Sequence, residues 1–413
     1  MRTLLVALLL ILTAPAAAQA QRTWSDPQPL LDASDVAPSG ALAADGTLLL
    51  AWTDDTGVHA RIGAGAPVTL DVNRYGNPVA VAAGTDVGVA WETAHDTVAV
   101  ATGTTATGLG SPVDLGAGYV ARAAGNRSGD MALVIGLSDR TWAEAFRPAG
   151  GSFGPPAAAP IPPAGSPFRL ITPDDRPVLG LGPAGEALLA YADSAGVHAV
   201  SRLREADFGS PVLLPGGPLS GLRGGPALAL DGHGRALALW SAPYGLAAAV
   251  RDAGGDWHSG SGLAGATGGY PQAAASADGD GVIAWETGDS FRVAPIALGD
   301  GVAGAPATYP VKLRPEGLPT RPEEYPTNDT PALRVAADGT ATITWSVYRD
   351  VLVARRDGTG PFGAPQVAAC QVAFARPQSL GFADGGSSAL IVDAYPSGRP
   401  ALVRDAPGMG KAR

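Results

Sequence analysis

Apolar and polar positions alternate along almost the whole chain in short bursts, the period of a half-buried β-strand. The bursts are separated by tight-turn phrases such as Ala44-Asp45-Gly46-Thr47, Ala277-Asp278-Gly279 and Ala337-Asp338-Gly339-Thr340. Asp-Gly between two alternating runs is a strong hairpin signal, because glycine takes the backbone conformation that a tight reversal needs. In these three copies a tryptophan follows the aspartate by seven residues, at Trp52, Trp285 and Trp345. Trp91, Tyr191 and Trp240 hold the same station in further copies, and the spacing points to Gly136 and Asp393 in two degenerate ones.

Each unit reads as four strands. The first follows a Pro or Arg, as in Pro78-Val-Ala-Val, and the second ends on the aromatic, as in Ala236-Leu-Ala-Leu-Trp240. The third is Val58-His-Ala-Arg61 or Val197-His-Ala-Val200, and the fourth follows a Phe-Gly-x-Pro phrase at Phe208 and Phe362. Four antiparallel strands per repeat cannot bury an apolar face alone, so successive units must stack. The expected fold is all-β: a single β-propeller of eight four-stranded blades, with seven as the fallback if unit three or eight is not a blade. The last unit supplies three strands (Gln378–Phe382, Ala389–Val392, Pro400–Arg404), and Thr23 to Leu31 reads as an orphan fourth strand that completes it. That pairing closes the ring and removes exposed sheet edges. The recurrent aromatics then read as packing between blades.

Composition agrees. Fifty-seven glycines and 37 prolines leave no room for helices, while 46% hydrophobic content is too high for disorder. A net charge of −10 excludes a general nucleic-acid binder. Arg2, the apolar run Leu4 to Leu12 and Ala18-Gln19-Ala20 form a signal peptide over residues 1–20, leaving a propeller domain over 21–413. The product is therefore expected to be secreted, extracellular or periplasmic, with cleavage near Ala20 and no membrane span. Only Lys312 and Lys411 among the 28 basic residues are lysines, a bias that points to a GC-rich bacterial genome. The single cysteine, Cys370, forms no internal disulfide and sits among small apolar residues, as a buried thiol does. Asp278-Gly279-Asp280-Gly281 lacks the further carboxylates of a calcium loop, and no zinc or nucleotide motif is present, so neither metal nor cofactor is expected.

Strand order locates a candidate site. If the Asp-Gly turns share one rim, residues just before each first strand and just after each aromatic station crowd the opposite rim, at the channel mouth. Before the first strands stand Arg74, Tyr75, Tyr119 with Arg122, Arg176, Arg223, Tyr270, Arg321, Tyr325 and Arg376. After the stations stand Asp54, Asp55, Glu92, Asp139, Asp193, Glu286 and Asp350. Two readings are open. These charges either pair across neighbouring blades to order the loops, or they bind an anionic or hydroxylated ligand, since arginine forks suit carboxylates and sulfates. Lys312 to Pro331, rich in proline, is a candidate flap over the same rim, and Pro155 to Pro167 reads as a stiff connector between units three and four.

With its Ala-Asp-Gly turns and aromatic stations, the chain resembles secreted bacterial β-propeller repeat proteins, with sialidase-like propellers as enzymatic relatives. The resemblance spans residues 21–413 as architecture. It implies an eight- or seven-bladed ring but carries no catalytic residue over: the Ser-x-Asp-x-Gly-x-Thr-Trp box of sialidases is absent, and the Asp here lies in the first turn instead. The favoured function is a non-catalytic propeller binding a carbohydrate, an anionic ligand or an extracellular protein at its Arg/Tyr/acid mouth. A sialidase-like glycoside hydrolase or lyase, and a structural cell-envelope scaffold, are the alternatives.

Overall fold

The computed structural model describes residues 23–24, 28–29, 38–73, 76–162, 176–217, 225–261, 263, 266, 268–287, 290–310, 331–336, 338–347, 350–369, 372–375, 381–382, 388–394 and 399–406. Residues 1–20, read from sequence as a signal peptide, lie outside them, as do Arg74, Tyr75, Arg223, Arg321, Tyr325, Cys370, Arg376 and nearly all of the Lys312 to Pro331 insertion. Among the described residues every regular element is a β-strand. No helix there is long and apolar enough to cross a membrane.

The strands form seven sheets from contiguous chain and an eighth composed of both ends of the chain. The first blade is typical: Ser39–Leu42, Leu48–Asp54, Gly57–Ile62 and Val68–Asp71 pair antiparallel in sequence order. In the eighth blade Ser388–Ala394 lies between the inner pieces and Arg399–Ala406, and Thr23–Trp24 and Gln28–Pro29 pair with the latter's outer side. This is the closure expected from the sequence. Its inner strand starts earlier than Gln378, as Val372–Ala375, and continues as Gly381–Phe382. Inner strands neighbour one another all the way round, the eighth touching both the seventh and the first, so the structure is a closed β-propeller.

Burial explains the repeat. Second strands are the most buried of the first, second, fifth and sixth blades, because both faces meet a neighbouring blade. Trp91 packs into the first blade's Leu49 and Ala51, Trp240 into the fourth blade's Leu188, and Trp285 and Trp345 likewise reach the blade before their own. All four are at most 2% exposed, which fixes their role as packing. The third blade departs from the spacing. There Met131, Leu133 and Ile135 face the second blade, so the counterpart of the tryptophan is Ile135, not Gly136. Gly136 faces the other way, and a Cβ there would fall within 2.5 Å of the Tyr119 ring, which fills that space. One further expectation is corrected. Ala157–Ala159, inside the stretch read as a connector, is the third blade's outer strand, with Ala159 small enough to bury against it.

The turn-bearing end carries a clasp that repeats from blade to blade. A side chain at or just beyond the end of a third strand reaches back to an acid at the first turn of the preceding blade. Thr105 donates to Asp45 at 2.8 Å, Arg147 to Asp86 at 2.7 Å, Arg204 to Asp130, and Arg251 to Glu186 at 2.5 Å. Deeper in the third and fourth blades, Arg202 grips Glu144 through two hydrogen bonds of 2.5 and 2.8 Å, with Phe146 and Phe208 against its guanidinium.

Candidate functional site

The mouth end is built from the crossovers between blades. Thr53 and Ser241, one residue past their aromatic stations, donate hydroxyl hydrogen bonds of 3.1 and 3.0 Å to the carbonyls of Gly76 and Gly268. Each glycine begins the approach to the next inner strand and lies against the glutamate of that blade. A Cβ on Gly76 would meet Glu92 Cβ at 2.9 Å, and one on Gly268 would meet the Glu286 carbonyl at 2.2 Å. The arrangement therefore occurs twice, at the junctions into the second and sixth blades. Neither the hydroxyls nor the glycines announce themselves in sequence; their position one step after the station is the only signal.

The acids at this end divide into two groups. Asp54, Asp139 and Asp193 are consumed by their own hairpins. Asp54 accepts from Thr56 Oγ1 at 2.6 Å, from His59 Nε2 at 3.0 Å and from Trp52 Nε1 at 3.2 Å. Burial alone raises its carboxyl, but the bonds from Thr56, Trp52 and His59 prevail and hold it down at about 2. Asp193 accepts from the Ala195 amide and from His198, which stacks on Tyr191 at 5.2 Å. Asp139 is bonded by Thr141 in the same way. Glu92 differs: burial, and then the like charge of Asp96, push its carboxyl above the usual range.

The structure brings Glu92 together with Tyr119 and Arg176. The backbone carbonyl of the turn residue Asp96, itself at a left-handed φ of 55°, accepts the Gly118 amide at 2.8 Å and so fixes the start of the third blade's inner strand. Gly118 has no room for a side chain, because a Cβ would meet Ile135 at 2.6 Å and the Gly136 carbonyl at 2.7 Å. Tyr119 then lies over Gly136, edge-on to Trp142 at 6.1 Å, and the Arg176 guanidinium stands 5.6 Å over its ring. Burial raises the Tyr119 phenol, Arg176 opposes that, and Glu92 adds to it. Arg176 Nε is buried and has no hydrogen-bond partner. One site thus collects a carboxyl, an aromatic ring and a stacked guanidinium from three consecutive blades.

The other expected residues are more scattered. Arg122 lies three residues further along its strand than Tyr119, about 10 Å into the ring, with Nη1 donating to the Ala121 carbonyl at 3.2 Å. Tyr270, half-buried, sits on a bulge of the sixth blade's inner strand at a left-handed φ of 49°, a conformation rare outside glycine. Glu286 pairs across from Gly269 on the same blade, and Asp350 opens the seventh blade's third strand; both are half-buried. Among the described residues no group of three or more His, Cys, Asp or Glu is placed to hold a metal ion.

No protein-family model and no curated protein matches the chain. Solved structures do. The Dos1 propeller is similar at 10% identity and a TM-score of 0.55, covering 92% of this chain and 95% of that one. At such identity the likeness is one of fold. The BP39L lectin from Burkholderia pseudomallei is similar at 14% identity and a TM-score of 0.46, over 81% of this chain and 99% of that one. A six-bladed fucose-recognising lectin from Aleuria aurantia is similar at 12% identity and a TM-score of 0.40, over 83% of this chain and 98% of that one.

Proposed function

We propose that this protein is an exported, non-catalytic propeller that binds an acidic or hydroxyl-rich carbohydrate at its mouth, with Glu92, Tyr119 and Arg176 at the centre of the site. The observation that carries this reading is the stacked Arg176, whose buried Nε lacks a partner beside a carboxyl raised by burial. A guanidinium with donors to spare suits a carboxylate or sulfate group, a glutamate accepts from sugar hydroxyls, and a tyrosine offers a face for C–H groups. Arg74, Tyr75, Arg122, Arg223, Tyr270, Glu286, Arg321, Tyr325, Asp350 and Arg376 extend the same mouth in this proposal. An extracellular protein is the other partner such a rim accommodates.

The chemistry at Tyr119 favours binding over catalysis. A tyrosine nucleophile needs its phenol lowered, whereas burial raises Tyr119 and its ring is spent packing over Gly136 and against Trp142. The test is a panel of uronic-acid, sulfated and neutral oligosaccharides, together with fluorogenic glycosides. Retention of acidic or hydroxyl-rich members with no turnover is expected, and Arg176→Gln weakens it at least tenfold. Turnover of any glycoside, or binding unchanged in Arg176→Gln, overturns the proposal.

A further inference from the structure

The described inner strands of the propeller are walled by small and apolar residues: Gly40 and Ala41, Ala80 and Ala82, Gly180, Ala227 and Ala229, Ala273 to Ala275. Across all eight blades, the described residues of these strands include two that are charged, Arg122 and Arg334, and no acid. In a chain of net charge −10, the charged residues of the described inner strands are thus both basic.

Arg334 is the sharper of the two. It is the third residue of the seventh blade's inner strand, Ala332–Val335, and is solvent-exposed while the residues before it are buried. Protein nonetheless surrounds its guanidinium, and burial lowers its pKa from the usual arginine value. Open to water yet enclosed by protein is the position of a side chain standing in a narrow solvent-filled passage. An arginine remains charged there, since its ordinary value lies so far above neutrality. Its Nη1 donates to the Leu333 carbonyl at 2.8 Å, and among the described residues no carboxylate pairs with it. Among the described residues, four of its five N–H groups therefore have no partner.

Its surroundings repeat the message. Directly across the ladder stands Thr342, and one pair further along Thr344 faces Ala332, so both hydroxyls lie on the blade face that carries Arg334. Both threonines are 0% exposed, and the Oγ1 of each has no hydrogen-bond partner. Buried hydroxyls are ordinarily satisfied. The face thus presents a charged fork with donors to spare beside two buried hydroxyls that nothing among the described residues satisfies.

We propose that Arg334 anchors a second binding site, within the channel, for a small oxyanion group: a sulfate, a phosphate or a carboxylate. The site is separate from the mouth and does not depend on the reading given for Glu92, Tyr119 and Arg176. It lies closer to the turn-bearing end, since Val335 completes the strand one residue later.

The test uses the full-length exported chain. Calorimetric titration with sodium sulfate, inorganic phosphate and glucuronate, each against sodium chloride at matched ionic strength, is run on wild type, Arg334→Gln, Arg334→Lys and the mouth variant Arg176→Gln. The three anions separate an inorganic ligand from the acidic end of a sugar. Saturable binding of at least one is expected in wild type and Arg176→Gln. Made in the Arg176→Gln background, so that the mouth arginine contributes nothing, Arg334→Gln loses it on the order of tenfold or more, and Arg334→Lys falls between. Because a variant can fail to fold, crystals of the unaltered protein soaked in selenate supply a second measurement, with an anomalous peak expected at the Arg334 guanidinium. No saturable binding of any of the three anions, equal binding by Arg334→Gln, or a selenate map without a peak at Arg334 overturns the proposal.

Discussion

The two ends of the propeller use arginine in opposite ways. At the turn-bearing end Arg147, Arg204 and Arg251 each reach back one blade to a carboxylate, and Arg202 holds Glu144 in a sealed pair. At the mouth end Arg176 rests on a tyrosine face, and no carboxylate among the described residues forms an ion pair with it. The same residue type is thus a strut at one end and an open donor at the other. The difference follows from topology. In the second to fifth blades the third-strand end lies beside the first turn of the preceding blade, so an acid at that turn meets a threonine hydroxyl in one copy and an arginine in three, whereas crossovers differ in length and bring no fixed partner.

The contrast can be broken first where it is strongest. Removing one partner of the sealed pair, by Glu144→Gln or Arg202→Met, leaves the other charge buried among Phe146 and Phe208; equilibrium urea unfolding is expected to show a loss of about 3–5 kcal/mol. At the clasp, where Arg147 and Asp86 are less deeply enclosed, Arg147→Ala is expected to cost about 1.5–3 kcal/mol in the same assay. Arg176→Gln at the mouth should move stability by no more than about 0.5 kcal/mol while weakening ligand binding. A large loss of stability in that variant would make Arg176 a strut like the rest.

Much of the ring was legible in the sequence because packing repeats. Trp91, Trp240, Trp285 and Trp345 recur since each blade must fill the same gap against its predecessor, and Asp-Gly recurs since each needs the same reversal. The closing pairing of Thr23–Trp24 with Arg399–Ala406 was legible because an eighth unit with three strands needs a fourth. The third blade misled at Gly136, because the spacing rule counts residues and does not record which face each one takes. The clasp was hidden for a similar reason: Arg147 and Asp86 are 61 residues apart, and only the ring brings them together. At the mouth, residue types were legible but their partners were not. Asp54 and Glu92 occupy comparable stretches, yet one is bound up in its hairpin and the other is not. Arg334 went unremarked because a lone arginine inside a strand has no motif, and its meaning comes from what the other inner strands lack.

The acids give a smaller, pH-dependent version of the same contrast. Asp54 is held at about 2 against an ordinary 3.8, so its contribution to stability is present above 3.8 and lost as pH falls toward 2. Asp54→Asn should lower thermal stability at pH 6 and leave it nearly unchanged at pH 2. Glu92 has the opposite sign. Its carboxyl is raised, so the folded state holds the proton more tightly than the unfolded chain, and stability declines as pH climbs through the upper carboxylate range. Glu92→Gln is expected to flatten that decline in thermal unfolding followed across the carboxylate range.

The most direct measurement compares ligand affinity in Arg176→Gln and Arg251→Ala, titrated side by side with the best-binding acidic oligosaccharide. The expected result is binding at least tenfold weaker in Arg176→Gln at unchanged stability, and wild-type affinity in the less stable Arg251→Ala. Equal affinity in the two variants would contradict the division of the propeller into a structural end and a binding end.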